Sequence, residues 1–558
     1  MPDRVVFIDC SNMTPDGGPV IGANVPGTPG ALLVKNLVPQ PGGGRFAVPK
    51  LPNTVELTTS NGDEHYIGQA MKLAPHLVYT AGADYAAAWD LSAGTYTRIA
   101  GPFAPYTAGS NPGWQIEEFG NNVILLPNDT SAALEPQIRV AHSGSCADLF
   151  TSTAEPLARC MAVVRSHLFL GDCLYDGTRY SQRVWWSARD DPRDFDPAVS
   201  TRCGFVDLTD RYGPVRAIAG GTNAIVFKDD AIHRMDFVGG ETVWEQQLIA
   251  TGVGCVSPHA MVELAGNIYF RSRDGFYVLE NRSTVQPIGK EEVWQTPLRL
   301  ANTSAYGPWS DEDGDPGITG WYGGSKWQAF AFRGNGLVAF RYTYASGGPV
   351  VLVYAPHDRR WSLVKPEVND PKWYFDWTRR NDVTPEVSAS ADHVASPAPG
   401  LDIMAVRITG GETKLLQCSS GDGGDVGAAT IGVWSKCIEL QAPARLVAIR
   451  PKYALGYPLG SSDDLFPAGS ISVRPVDVPA GYVDPDPDGS DLWVYSSEVD
   501  ADGWHSIDPL SAAYIQVRWE IDGDSVSSVG LSKLSAFYGY ELKLSTLEEG
   551  SGRDGRGT

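Results

Sequence analysis

The sequence predicts an all-β chain, a six-bladed β-propeller followed by a C-terminal β-sandwich-like platform domain. Three observations carry that expectation. From Val184 to Val278, short apolar runs alternate with turns rich in Asp, Gly and Pro, as in VWWSARDDPRDFDP, IVFKDDAIHRMDFVGG and IYFRSRDGFYV; this is the pattern of antiparallel sheet folded back on itself. The 61 Gly and 40 Pro among 558 residues exceed the usual combined share of roughly 12% and suit a fold with many tight turns. No long stretch sustains the i, i+3, i+4 apolar spacing of a helix.

Taken in order, residues 1–60 are punctuated by GGP at Gly17, PGTPG at Pro26, PQPGGG at Pro39 and PKLP at Pro49. Such a segment cannot hold an uninterrupted ladder and reads as an extended arm laid over the fold or a neighbour. The propeller is expected over 61–425, in modules roughly 40 to 50 residues apart. These run His65 to Ala100, Trp114 to Ala141, Arg159 to Ser187, Pro214 to Ile249, Cys255 to Ile288 and Trp321 to Leu363. The recurring runs NVILL at Asn122, HLFL at His167, NAIVF at Asn223, NIYF at Asn267 and QAFAF at Gln328 are expected as inner strands.

Lys365 to Gly400 is rich in Pro, Asp and Ser and reads as a long loop with short strands inside; LDIMAVRI (Leu401 to Ile408) and KLLQ (Lys414 to Gln417) then complete the ring. Beyond GDGGDVG, Gly421 to Gly427, a second unit over 426–547 alternates apolar and polar residues in LVAIRPKY, ISVRPV and YIQVRWEI. One buried and one wet face follow from such alternation, hence a small sandwich. Residues 548–558 read as a disordered tail.

Some of these residues form a family pattern. The run Trp185, Trp186, Ser187, then Asp191, Pro192 and Phe195 within DP and DFDP, is followed by Gly239, Gly240, Trp244, the GxGC of Gly252, Gly254 and Cys255, and Asp274 with Gly275. Together with LVKNLVPQPGGG, Leu33 to Gly44, this resembles the tail nozzle (tail tubular protein B-like) family of short-tailed bacteriophages, from about Leu33 to Gly289. The resemblance implies a structural virion protein of the tail, assembled in the bacterial host cytoplasm. It would be a homo-hexamer below a head-to-tail adaptor ring, passing double-stranded DNA without specific binding and offering surface to tail fibres or tailspikes. It implies no enzyme, no cofactor and no membrane insertion.

The net charge of −22 argues against a surface that grips phosphates by counter-ion release. It suits a conduit in which a polyanion slides and is repelled by the wall. Eight cysteines (Cys10, Cys146, Cys160, Cys173, Cys203, Cys255, Cys418 and Cys437) show no CxxC or CxxH spacing, which excludes the common zinc patterns and fits reduced, buried thiols. The N-terminal MPDRVVFIDC lacks the form of a signal peptide, and no window reaches the ~18 apolar residues of a membrane span.

Candidate chemistry is sparse. DPDPDG places Asp484, Asp486 and Asp488 at alternate positions before a Gly, as a calcium loop does, but its twelfth position is Tyr495 and two prolines stiffen it; an acidic loop is the plainer reading. Asp311, Asp313 and Asp315 form a second acidic loop, and both loops are candidates for a lumen lining. Trp185 and Trp186 near Asp190, Asp191 and Asp194 invite a glycosidase reading. In a strand, however, adjacent tryptophans face opposite sides, so packing between blades is the preferred account, and Asp190 and Asp194 shape the turn before Phe195. There is no GxSxG or HExxH, and the nine histidines sit singly. The alternatives to a nozzle are a tail-borne propeller hydrolase acting on host polysaccharide and a monomeric sugar-binding module.

Overall fold

The computed structural model describes, with short gaps, residues 4–10, 31–47, 56–58, 63–290 and 293, then the strands and turns within 327–376, 403–418, 431–455, 470–476, 494–521 and 534–546. The described residues are almost wholly strand and turn, with two single-turn 3₁₀ helices. Four-stranded antiparallel units follow one another along the chain. The first spans His65–Ala70, Leu77–Gly82, Ala86–Asp90 and Thr95–Ala100. Five more follow in series, and the first strand of each is Trp114–Phe119, Leu157–Val164, Val215–Ala219, Met261–Leu264 and Trp327–Phe332.

The ring has seven blades rather than six. The seventh joins Pro371–Asp376, Ile403–Thr409 and Glu412–Cys418 to the outer strand Glu56–Thr58, borrowed from the N-terminal segment. The strands expected to complete the ring do so, as a blade of their own. Successive first strands neighbour one another around a central channel, and the seventh lies against the first. Asn122–Pro127, His167–Tyr175, Ala224–Lys228 and Asn267–Arg271, which sequence reading placed innermost, are the second strands of their blades; only QAFAF lies on a first strand.

Packing explains the position of each run. Leu77–Gly82 and Ala224–Lys228 are buried along their whole length, because a central strand has a neighbouring blade on each face and alternation vanishes. Outer strands such as Trp244–Thr251 and Thr284–Ile288 are mostly open to solvent. Ring closure is polar as well as apolar: Thr413 of the seventh blade donates its N–H (3.0 Å) and hydroxyl (2.7 Å) to the Asp63 carbonyl, and its Oγ1 accepts the His65 N–H at 2.6 Å.

The N-terminal segment is extended: three of its strands are built into sheets of the fold, and Leu37–Gln40 with Gly44–Ala47 forms a separate hairpin against Arg360–Val364 and Leu534–Thr546. Arg4–Asp9 edges a five-stranded sheet, antiparallel to Leu534–Thr546. Ala31–Lys35 pairs with Ile431–Ser435 on one side and, through Lys35 and Leu363, in parallel with the sixth blade on the other. One sheet therefore runs from the sixth blade through this strand into Ile431–Ser435, Tyr514–Ile521 and Ser470–Val476. It faces the five-stranded sheet across a core that holds Ile449, Leu542 and Ile8 on one side and Val433, Val517 and Trp519 on the other. The Tyr540 hydroxyl bridges the layers to the Val433 carbonyl at 2.5 Å. This is the expected sandwich, and its core is continuous with Phe227, Phe270, Phe276 and Trp361 of blades four to six.

Candidate functional site in the central channel

The first strands of all seven blades enclose a channel of about 1010 Å³. An inner strand has a free edge, and the polar side chains that bridge adjacent inner strands organise the wall. Gln115 accepts the Met161 N–H at 2.8 Å and donates to the Met161 carbonyl at 3.4 Å, joining blades two and three. Gln328 does the same for Tyr374 between blades six and seven, accepting its N–H at 3.1 Å and donating to its carbonyl. Each glutamine follows a buried tryptophan, Trp114 or Trp327, at the head of a first strand. The shared WQ opening is a sequence signal for this device that sequence reading passed over.

Charge in the channel is balanced, with Glu117, Glu118 and Glu263 against Lys72, Arg282 and Arg333. Glu118 accepts the backbone N–H groups of Lys72 (3.0 Å) and Leu73 (2.9 Å). Arg282 pairs with Glu263 at 2.5 Å and crosses to blade four, donating to the carbonyls of Gly220 and Asn223, the latter at 3.0 Å. Gly221 makes room for that guanidinium: it sits at φ +130°, and a Cβ there would lie 2.6 Å from Arg282. Burial drives the Glu117 carboxyl up to about 7, against the attraction of Lys72 and with the repulsion of Glu118. Glu117 is within reach of water in the channel yet has protein on every side, and it is this enclosure that disfavours its charge. His259, also in the lining, is pushed down to about 4 by burial.

The signature residues lie away from the channel, between blades. Trp185 packs between blades two and three and Trp186 between three and four, on opposite faces of one strand. Ser187 ties that strand to its neighbour, with its Oγ accepting the Leu168 N–H at 2.9 Å. Asp191 accepts the Arg193 N–H (3.0 Å) and Asp194 the Asp196 N–H (3.1 Å), both as turn contacts, while Pro192 and Phe195 are buried. Gly239 and Gly240 take positive φ in the turn before Trp244, whose indole meets Phe169 edge-on at 4.9 Å. Gly252 also has positive φ, and Gly254 passes so close to blade four that a Cβ would lie 2.0 Å from the Lys228 carbonyl oxygen. The Cys255 thiol donates to the Ser257 carbonyl at 3.1 Å, and burial pushes it up to about 12. Asp274 accepts the Tyr277 hydroxyl at 2.7 Å, and the Gly275 carbonyl accepts from buried Arg271 at 2.7 Å. Asp311, Asp313, Asp315, Asp484, Asp486, Asp488 and the tail 548–558 lie outside the described residues.

No family model matches the sequence, and no curated protein does. Among solved structures, the chain is similar at 8% identity to a chain in the crystal structure of the mitotic checkpoint complex, covering 66% of this chain and 96% of that one with a TM-score of 0.35. It is likewise similar at 8% identity to the Pan2 WD40 domain of Neurospora crassa, covering 64% and 90% with a TM-score of 0.33. The β-propeller architecture stands on the sheet topology itself.

Proposed function

We propose that this chain is the tail nozzle subunit of a short-tailed bacteriophage: a structural protein, six copies of which form a ring below the head-to-tail adaptor and conduct the genome on ejection. One observation carries the reading. The strand Ala31–Lys35, which runs into the N-terminal stretch that resembles the nozzle family at Leu33, joins the propeller and the sandwich into one sheet. A sheet crossing both units resists their separation through backbone hydrogen bonds, as a component under the pressure of a moving genome requires. The second signature stretch supplies turns and inter-blade packing, which favours a scaffold role for it over a sugar-cleaving one.

The net charge of −22 fits passage of a polyanion without adhesion. The channel inside each propeller is charge-balanced, so the acid-lined lumen of this proposal is the space enclosed by the six copies. Heterologous contacts between identical subunits close such a ring. Native mass measurement with negative-stain imaging, alone and with the adaptor, tests it: six-fold rings with a central opening are expected. A monomer under both conditions, or cleavage of purified capsule or lipopolysaccharide, overturns it.

A further inference from the structure

We propose that the groove between the third and fourth blades is a binding site for a phosphate group. Arg159 stands on the first strand of blade three, Arg179 and Ser181 on its third strand, and Arg216 on the first strand of blade four. With Pro214 they line a cavity of about 430 Å³.

Two of the guanidiniums are already oriented. Arg179 donates to both oxygens of Asp172, at 2.8 and 2.6 Å, and Arg216 donates to Asp229 at 2.5 Å. Asp229 is shared with Arg273 at 3.5 Å, so it does not neutralise Arg216 alone. Arg159 is the uncommitted member: its Nη1 comes only to 4.0 Å from Asp172, which already holds Arg179, and its buried Nε–H has no acceptor among the described residues. The groove thus carries an excess of positive charge in a strongly acidic chain. Asp172 itself is 1% exposed, at φ +53° beside a bulge between Gly171 and Cys173. The backbone leaves the ladder there to set a carboxylate under the guanidiniums, which fixes their positions before any ligand arrives.

The donor geometry selects the ligand. A carboxylate is planar and one guanidinium fork satisfies it, as that of Arg179 does for Asp172. Donors from three separate strands, with the Ser181 hydroxyl among them, suit an oxyanion whose oxygens point in several directions. A phosphate accepting from Arg159, with further contacts from Arg179 and Arg216, completes the arrangement and offsets the repulsion of the three cations.

Calorimetric titration of the full chain with inorganic phosphate, at ionic strength held constant with sodium chloride, tests this. Saturable binding to one site per chain is expected, weakened about tenfold or more in Arg159→Gln and less in Arg216→Lys, which keeps the charge and loses the fork. A nucleoside monophosphate that binds as well as the free ion identifies the ligand as a phosphate monoester; exclusion of the monoester identifies it as inorganic phosphate. Absence of saturable binding, or equal affinity in Arg159→Gln, overturns the proposal. Should that variant not fold, competition on the unmodified chain decides: displacement by sulfate and not by acetate is expected, and equal displacement by acetate overturns it.

Discussion

Glu117, partly buried in the channel wall, and His65, fully buried, are titratable side chains whose effects on stability run in opposite directions with pH. Burial lowers His65 from an ordinary 6.5 to about 4, so the folded state binds its proton less readily than the unfolded chain. The neutral form favours the fold above pH 6.5, and that contribution is lost as pH falls toward 4. Glu117 is raised from 4.5 to about 7, so its adverse contribution grows as pH rises through that interval. Because the two slopes overlap, the difference between variants is the informative quantity. Glu117→Gln should raise the melting temperature at pH 8, by an amount corresponding to about 2–3 kcal/mol, and by less at pH 5.5; an equal gain at both pH values would count against a raised pKa. At Gly254 the effect is steric. A methyl group there meets the carbonyl oxygens of Lys228 at 2.0 Å and Asp229 at 2.4 Å, and backbone cannot give way as a side chain can. Gly254→Ala should cost about 2–4 kcal/mol, read as a lower melting temperature or loss of soluble protein, whereas Ala at Gly266, which has open space around it, should cost only its positive-φ strain of roughly 1 kcal/mol.

At the scale of the element, legibility followed the range of the interactions. The opposed faces of Trp185 and Trp186, and the turn role of Asp194, were readable because strand period and Asp turn contacts are local. The first six blades were readable from alternating runs and turns. The seventh was not, because its first strand, Pro371–Asp376, lies in a stretch whose Pro, Asp and Ser content signals a loop, and its fourth, Glu56–Thr58, pairs with Lys414–Leu416 far along the chain. Nothing local marks three residues as the end of a ring. The glutamine bridges at Gln115 and Gln328 were likewise hidden, since their partners, Met161 and Tyr374, belong to the next blade. The borrowed strand can be tested directly. Leu57 pairs with Leu415, and proline at position 57 removes a ladder donor and fixes φ. Leu57→Pro should open the seventh blade, seen as faster limited proteolysis within 371–418 than in the unmodified chain; unchanged cleavage would mean that the blade holds closed without its borrowed strand.

At the scale of the whole molecule, two architectures share one core. The sandwich residues Val433 and Trp519 belong to the same apolar cluster as Phe227 and Trp361 of the propeller, and a single sheet crosses the junction. Domains joined by small polar interfaces melt separately; those that share a large apolar interior do not. Scanning calorimetry of the isolated chain should therefore give one endotherm, and two resolved transitions would show that the shared sheet does not couple the units.

The borrowed strands also bear on how the chain is made. Arg4–Asp9 emerges from the ribosome long before its partner Leu534–Thr546; Glu56–Thr58 waits likewise for Lys414–Leu416. Neither the ring nor the sandwich can finish until these distant partners have been made, so closure is slow relative to the folding of the blades between them. Until then the early strands present unpaired edges, Val5 and Phe7 remaining exposed even in the finished fold, and a nascent chain in that state is a natural client for a chaperone.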